Sequence, residues 1–161
     1  MGLNGELPPI GFWSYTRIDD QGAAGWLTAL RTQLTDILKM RTGDRMTSIF
    51  QDTQAIPYGS KWFREIQDAL GQSSFLIPII TPTFLRSEFC FKELAIFRER
   101  QEQLGRDNLI FPLHYVDTDD IDLTRKERCL DPDAVAYLKT HHWIDFRPLE
   151  LHEPTSATVR R

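Results

Sequence analysis

The sequence predicts an α/β domain built on a largely parallel five-stranded sheet. Three observations carry this prediction. Strand-length apolar runs alternate with stretches whose apolar residues recur at helical spacing. Two of the runs, SFLIPII (residues 74–80) and LIFPLHYV (109–116), lack polar alternation, as strands covered on both faces do. The chain has 161 residues, enough for one domain with a substantial core.

Taken in order, residues 10–15 (IGFWSY) are short and aromatic, follow Pro8 and Pro9, and read as the first strand. A polar turn, TRIDDQG, comes next. Trp26, Leu27, Leu30, Leu34, Ile37 and Leu38 then mark a helix that Gly43 is placed to end. Residues 47–50 form a short strand, and 52–59 (DTQAIPYG) a loop with Pro57 and Gly59. Ser60 can cap a second helix with Trp62, Phe63, Ile66 and Leu70 as apolar positions and Gly71 at its end. After the strand 74–80, residues 81–87 turn into a third helix. Ser87 is a good N-cap there, and Glu88 suits the positive end of the dipole. Pro112 would cost the strand 109–116 a ladder bond, which suggests a bulge or an edge. The acidic stretch DTDDID is irregular. Asp131 and Pro132 suit the N-cap and N1 positions of a short helix carrying Val135 and Leu138. HWIDF (142–146) is the last strand, and the tail RPLELHEPTSATVRR has no apolar period.

Right-handed crossovers place helices on both faces of such a sheet. The flavodoxin-like strand order 2-1-3-4-5 follows. It puts a ligand crevice outside the carboxyl ends of strands one and three, where the winding reverses. Segments 14–20, 52–59 and 81–93 should converge there.

Composition narrows the function. A net charge of −4 and the lack of a basic stripe argue against a general nucleic-acid binder. Cys90 and Cys129 are too few for a disulfide scaffold, and no CxxC pair exists to hold zinc. His141 and His142 are adjacent, so a strand would turn them to opposite faces, away from a shared metal. No secretory signal and no run of 18 apolar residues is seen, so a cytoplasmic protein is the default. Neither GxSxG, nor a P-loop, nor GxGxxG occurs.

The third helix raises the sharpest question. In SEFCFKELAIF (residues 87–97), a helical wheel places Glu93 inside an apolar arc. Ile96 and Phe89 flank it on one side, and Leu104, Phe97, Cys90 and Leu94 on the other. Such a carboxylate can pair with a cation, for which Arg17 and Arg100 are candidates, or bend its stem to reach water. It can also face a ligand, since buried charge is costly and is retained for use. Arg17 could bind a phosphate or solvate its turn. Phe12, Trp13, Trp62 and Phe63 read first as core, with Trp62 also a candidate to line the substrate site. Cys90 reads as a packing residue.

The ordered segments GFWSYTRIDD, IFQDTQAIPYG and LIPIITPTFLRSEFCFKEL resemble a TIR (Toll/interleukin-1 receptor) domain. They look most like bacterial anti-phage effectors fused to STING- or SAVED-type cyclic-nucleotide sensors. The resemblance covers about residues 10–146 of a single domain, 1–161. The remainder, 147–161, is then a tail, a linker or the start of a truncated last helix, and the chain an excised N-terminal domain. The resemblance implies cleavage of the nicotinamide–ribose bond of NAD⁺, giving nicotinamide and ADP-ribose or a cyclic isomer. NAD⁺ is then substrate rather than cofactor, and no metal is involved. It makes Glu93 the catalytic carboxylate and sets Phe89 near the nicotinamide. Tyr15 and Arg17 fall near the substrate, and Asp52 and Gly59 in the loop after strand two. It also implies activation by self-association through TIR–TIR contacts. The rival reading within the family is a scaffold that recruits other TIR domains without catalysis. A phosphoacceptor receiver domain would need an Asp at the end of strand three, where Ile80-Thr81 stands.

Overall fold

The computed structural model describes residues 8–52, 60–140 and 143–149, the side chains of 60–62 excepted. Five parallel strands form one sheet in the order β2-β1-β3-β4-β5, as the alternating pattern requires. They are β1 (Gly11–Ser14), β2 (Ile49–Gln51), β3 (Phe75–Ile80), β4 (Leu113–His114) and β5 (Ile144–Asp145). Five helices accompany them: α1 (Arg17–Gly22), α2 (Trp26–Thr42), α3 (Ser60–Gln72), α4 (Glu88–Leu104) and α5 (Pro132–Thr140). Among the described residues no helix is long and apolar enough to cross a membrane.

Strand periodicity divides the core into two. Phe12, Leu76 and Ile80 face α3, α4 and α5, where they pack with Leu70, Leu94, Phe97, Val135 and Leu138. Trp13, Ile77 and Ile79 point to the other face and pack with Trp26, Leu27 and Leu30 of α2. Side chains buried as completely as Leu94 and Phe97 contribute about 1.5–3 kcal/mol each.

Two helix ends match their sequence signals. Gly43 closes α2 at φ 72°, and its N–H donates to the Lys39 carbonyl at 3.0 Å. Asp131 caps α5, its Oδ1 accepting from Ala134 N at 2.9 Å. Two other places differ. The TRIDDQG turn is the short helix α1, too brief to show a period. It starts after Thr16, whose carbonyl accepts from Asp19 N, and carries Asp19 and Asp20 at its positive end. Gly71 lies within α3 rather than after it. Phe63 is not core: it keeps 49% of its surface.

The expected strand 109–116 is broken. It meets β3 at an isolated bridge, Leu76 to Ile110, and again only at Leu113–His114. Pro112 is half of the reason. Leu76 directs both its N–H and its carbonyl toward the 109–111 segment, bonding Leu109 O at 2.8 Å and Phe111 N at 2.9 Å. Two residues on, Pro78 faces the same way and has no N–H to offer. Pro112 faces β5, where its carbonyl accepts from Ile144 N at 3.0 Å but it can donate nothing in return. One proline thus removes a rung on each side of β4.

Ser87 has β-region backbone, and its Oγ accepts from Cys90 N at 3.2 Å, the N-cap arrangement that starts α4. Ser87→Ala should lower unfolding free energy by about 1 kcal/mol, and Ser87→Asp should restore most of it, as read from urea unfolding curves.

Candidate active site

The candidate site lies at the carboxyl end of β1 and β3, where the strand order reverses. β1 delivers Ser14, which is 1% exposed and points to the same face as Phe12, toward α4. The second turn of α4 delivers Glu93. Ser14 Oγ donates to Glu93 Oε2 at 2.5 Å, linking residues 79 positions apart in the chain.

Among the described residues Glu93 has no cationic partner. Arg17 pairs with Asp52 at 2.7 Å. Arg100 donates to the carbonyls of Ser73 and Leu70 and lies over the Phe97 ring. Burial therefore acts on Glu93 with little opposition and pushes its acid up to about 7. The Ser14 hydrogen bond pulls the other way, and the negative Asp52 adds to the rise.

The helical wheel needs one correction. Glu93 sits at the edge of the buried face of α4, not inside it. The buried positions are Cys90, Phe91, Leu94, Phe97 and Gln101, while Phe89 is 38% exposed and Ile96 36%. Leu104 is also exposed. The apolar arc is wider than the surface the sheet covers, so its outer part is open. Gln101 is polar yet buried, because its Oε1 accepts from Leu109 N at 2.8 Å and its amide bonds the Tyr137 hydroxyl.

The segment after β1 is fastened from both sides. Asp19 Oδ2 accepts from Thr16 Oγ1 at 2.5 Å and from Thr81 Oγ1, at the end of β3, at 2.6 Å. Thr81 Oγ1 in turn accepts from Phe84 N at 3.0 Å. On the β2 side, the Tyr15 hydroxyl donates to the Asp52 carbonyl at 2.7 Å. Cys90 Sγ donates to the Tyr15 carbonyl at 3.7 Å. Burial, then the charge of Glu93, pushes the Cys90 thiol up to about 12, so it stays protonated and packs as expected.

The structure thus gathers Glu93, Arg17 and Asp52 at one sheet edge and sets Phe89 one helical turn before Glu93. It also brings the Tyr15 hydroxyl to the Asp52 carbonyl, while the Tyr15 ring turns away from α4. Tyr15 follows Trp13's side of the strand and packs with the α2 core, so only its backbone reaches α4. Burial raises the Tyr15 acid, and it bonds as a neutral phenol. Gly59, Pro57 and the pair His141 and His142 lie outside the described residues, as does the Trp62 side chain. Sequence reasoning passed over Ser14, Asp19 and Thr81. Ser14 had a readable signal, being the only polar residue of β1 and in phase with Phe12.

Beyond β4, His114, Asp117 and Asp119 could bring ligand atoms within 4.8 Å of one another. Arg147 already bonds both acids, at 3.3 and 2.8 Å, and Asp145 at 2.9 Å. His114 Nε2 meets Thr118 Oγ1 at 3.0 Å. The group is built as an ion-pair cluster around a guanidinium.

A search of curated proteins returns no match. Among solved structures, the chain is similar to the TIR domain of the Toll-related receptor TRR-2 from Hydra magnipapillata. That likeness has 18% identity and a TM-score of 0.49, and covers 84% of this chain and 82% of the other. The family model described as TIR domain matches residues 12–158, nearly the whole chain and every strand from Phe12 of β1 to β5. The chain belongs to the TIR domain family.

Proposed function

We propose that this domain cleaves NAD⁺ between nicotinamide and ribose, with Glu93 as the catalytic carboxylate. The observation that carries the reading is the largely buried carboxylate of Glu93 at the switch point of the sheet, with no cation beside it among the described residues. Such a group is expensive to maintain, and a merely structural glutamate would be expected to have a cation beside it.

The chemistry suits these residues. Nicotinamide leaves as a neutral molecule, so the departing base needs no strong acid. The site has to stabilise an oxocarbenium-like sugar instead. Ionised Glu93 supplies negative charge to that cation and accepts hydrogen bonds from the ribose hydroxyls. The low-dielectric setting strengthens both effects. Phe89, open to solvent one turn earlier, offers a ring for the departing base to stack on. Arg17 remains one-third exposed while paired to Asp52, which leaves guanidinium surface for a pyrophosphate. Attack by water gives ADP-ribose, and attack by a group of the same molecule gives a cyclic isomer. The segment resemblance supports a wider setting as well. In it the domain is a cytoplasmic anti-phage effector, joined to a cyclic-nucleotide sensor and switched on by TIR–TIR self-association.

One observation favours the scaffold reading. Phe63, Phe89, Ile96 and Phe111 are apolar and open, as surfaces that bind other domains are. That reading needs no charge at position 93.

Glu93→Gln should cut nicotinamide release by several orders of magnitude, followed by chromatography of concentrated protein with NAD⁺. The same variant should be more stable, by roughly 1–3 kcal/mol at pH 8, since it removes a carboxylate that ionises at a cost. Normal turnover by Glu93→Gln would leave the scaffold reading standing.

The pH dependence follows from the sign of the shift. The charged form is active and the acid is raised to about 7. kcat should therefore fall roughly tenfold per pH unit below neutrality and level off above pH 8. Specific activity should also rise with protein concentration if self-association completes the site. A flat dependence from nanomolar to high micromolar protein would exclude that.

A further inference from the structure

We propose that Ser14 is the positioning residue for Glu93: its hydroxyl holds one carboxylate oxygen and leaves the other turned toward the sugar. This inference rests on the NAD⁺-cleaving reading above and deepens it by naming what sets the reacting carboxylate.

The geometry favours this role. Ser14 ends β1, which is hydrogen-bonded to β2 on one side and β3 on the other, and it stands opposite Pro78 in register. At 1% exposure its hydroxyl has no water to turn to. A buried hydroxyl must donate, and its acceptor is Glu93 Oε2 at 2.5 Å. Among the described residues Glu93 Oε1 accepts no hydrogen bond. A glutamate has three side-chain torsions and little intrinsic preference in a partly open setting. A donor fixed to the central sheet removes that freedom before substrate arrives, as preorganised sites require.

The neighbours of Glu93 make the hydroxyl necessary. Asp52, after β2, is negative and opposes the charged form, though Arg17 offsets part of its field. Cys90, on α4, is a protonated thiol tied to the Tyr15 carbonyl. Asp19, after β1, is occupied by Thr16 and Thr81. Lys92, also on α4, sits 5.5 Å over the Phe89 ring. Among the described residues Ser14 is therefore the group that directly favours the ionised carboxylate against burial. At 1% exposure Ser14 offers a substrate almost no surface, so it would act through Glu93.

The test uses the full chain as Ser14→Ala, Ser14→Thr, Glu93→Gln and the double variant Ser14→Ala/Glu93→Gln. Glu93 is titrated directly by carbon-13 NMR of glutamate-labelled protein, and nicotinamide release is followed from pH 5 to 9. In Ser14→Ala the Glu93 midpoint should rise by about one pH unit, and the acid limb of kcat should move with it. At pH 7 kcat should drop about fivefold from that shift, with KM changed less than threefold. Ser14→Thr keeps the hydroxyl and should restore the midpoint. The double variant should be no slower than Glu93→Gln alone, as expected when one residue acts only through the other. An unmoved midpoint in Ser14→Ala, or equal losses at every pH, would overturn the proposal and leave Ser14 a packing residue. If no protein releases nicotinamide at any pH, the NAD⁺ reading falls. The NMR midpoints then still decide whether Ser14 governs Glu93.

Discussion

A carboxyl group largely withdrawn from water, with no cation beside it among the described residues, is the constraint around which the rest of this domain is arranged. The folded chain holds Glu93 protonated up to about pH 7, while its ordinary value is 4.5. Across that window the folded state retains a proton that the unfolded state has released, so stability declines as pH rises through it. The loss is complete above the folded value and amounts to about 3 kcal/mol. That is a sizeable share of the 5–15 kcal/mol typical of small domains. Some of the penalty is already relieved by the Ser14 hydroxyl, without which the acid would be weaker still.

The sheet makes this arrangement possible. Parallel strands bring their carboxyl ends to one edge, and the reversal between β1 and β3 opens a gap between the segments that leave them. Asp19 holds the β1 segment to the end of β3 through Thr81, and Tyr15 and Arg17 hold it to Asp52 beyond β2. α4 enters this frame with its first turn capped by Ser87 and its inner face packed on β3. Position 93 then falls where packed surface gives way to open surface. A residue further round the helix would be solvated, and one further in would be core.

Much of this was legible because it is periodic. Strand alternation and helical spacing carried the strand order, the layers and the helix termini at Gly43 and Asp131. They also placed Glu93 in the helix that leaves β3. What escaped depends on partners distant in the chain. No single-helix wheel shows that Glu93 meets Ser14, because that meeting needs two elements placed side by side. The wheel also equated apolar with buried. Phe89, Ile96 and Phe63 are apolar and open, and only the extent of the opposing sheet decides between those outcomes. The break in β4 was half-read: Pro112 was visible, whereas Pro78 matters through the direction its missing N–H would have faced.

Pro78 has a mechanical meaning. β3 and the chain beside it are bonded before Pro78 and after it, but the ladder is thinned between, so the sheet resembles an open book with a slack spine. Ser14, Asp52 and Thr81 belong to one leaf and the Arg147 cluster to the other, while α4 reaches across: its Gln101 bonds Leu109 N and the Tyr137 hydroxyl. The helix that carries the carboxylate is therefore also the strap that limits how far the book can open.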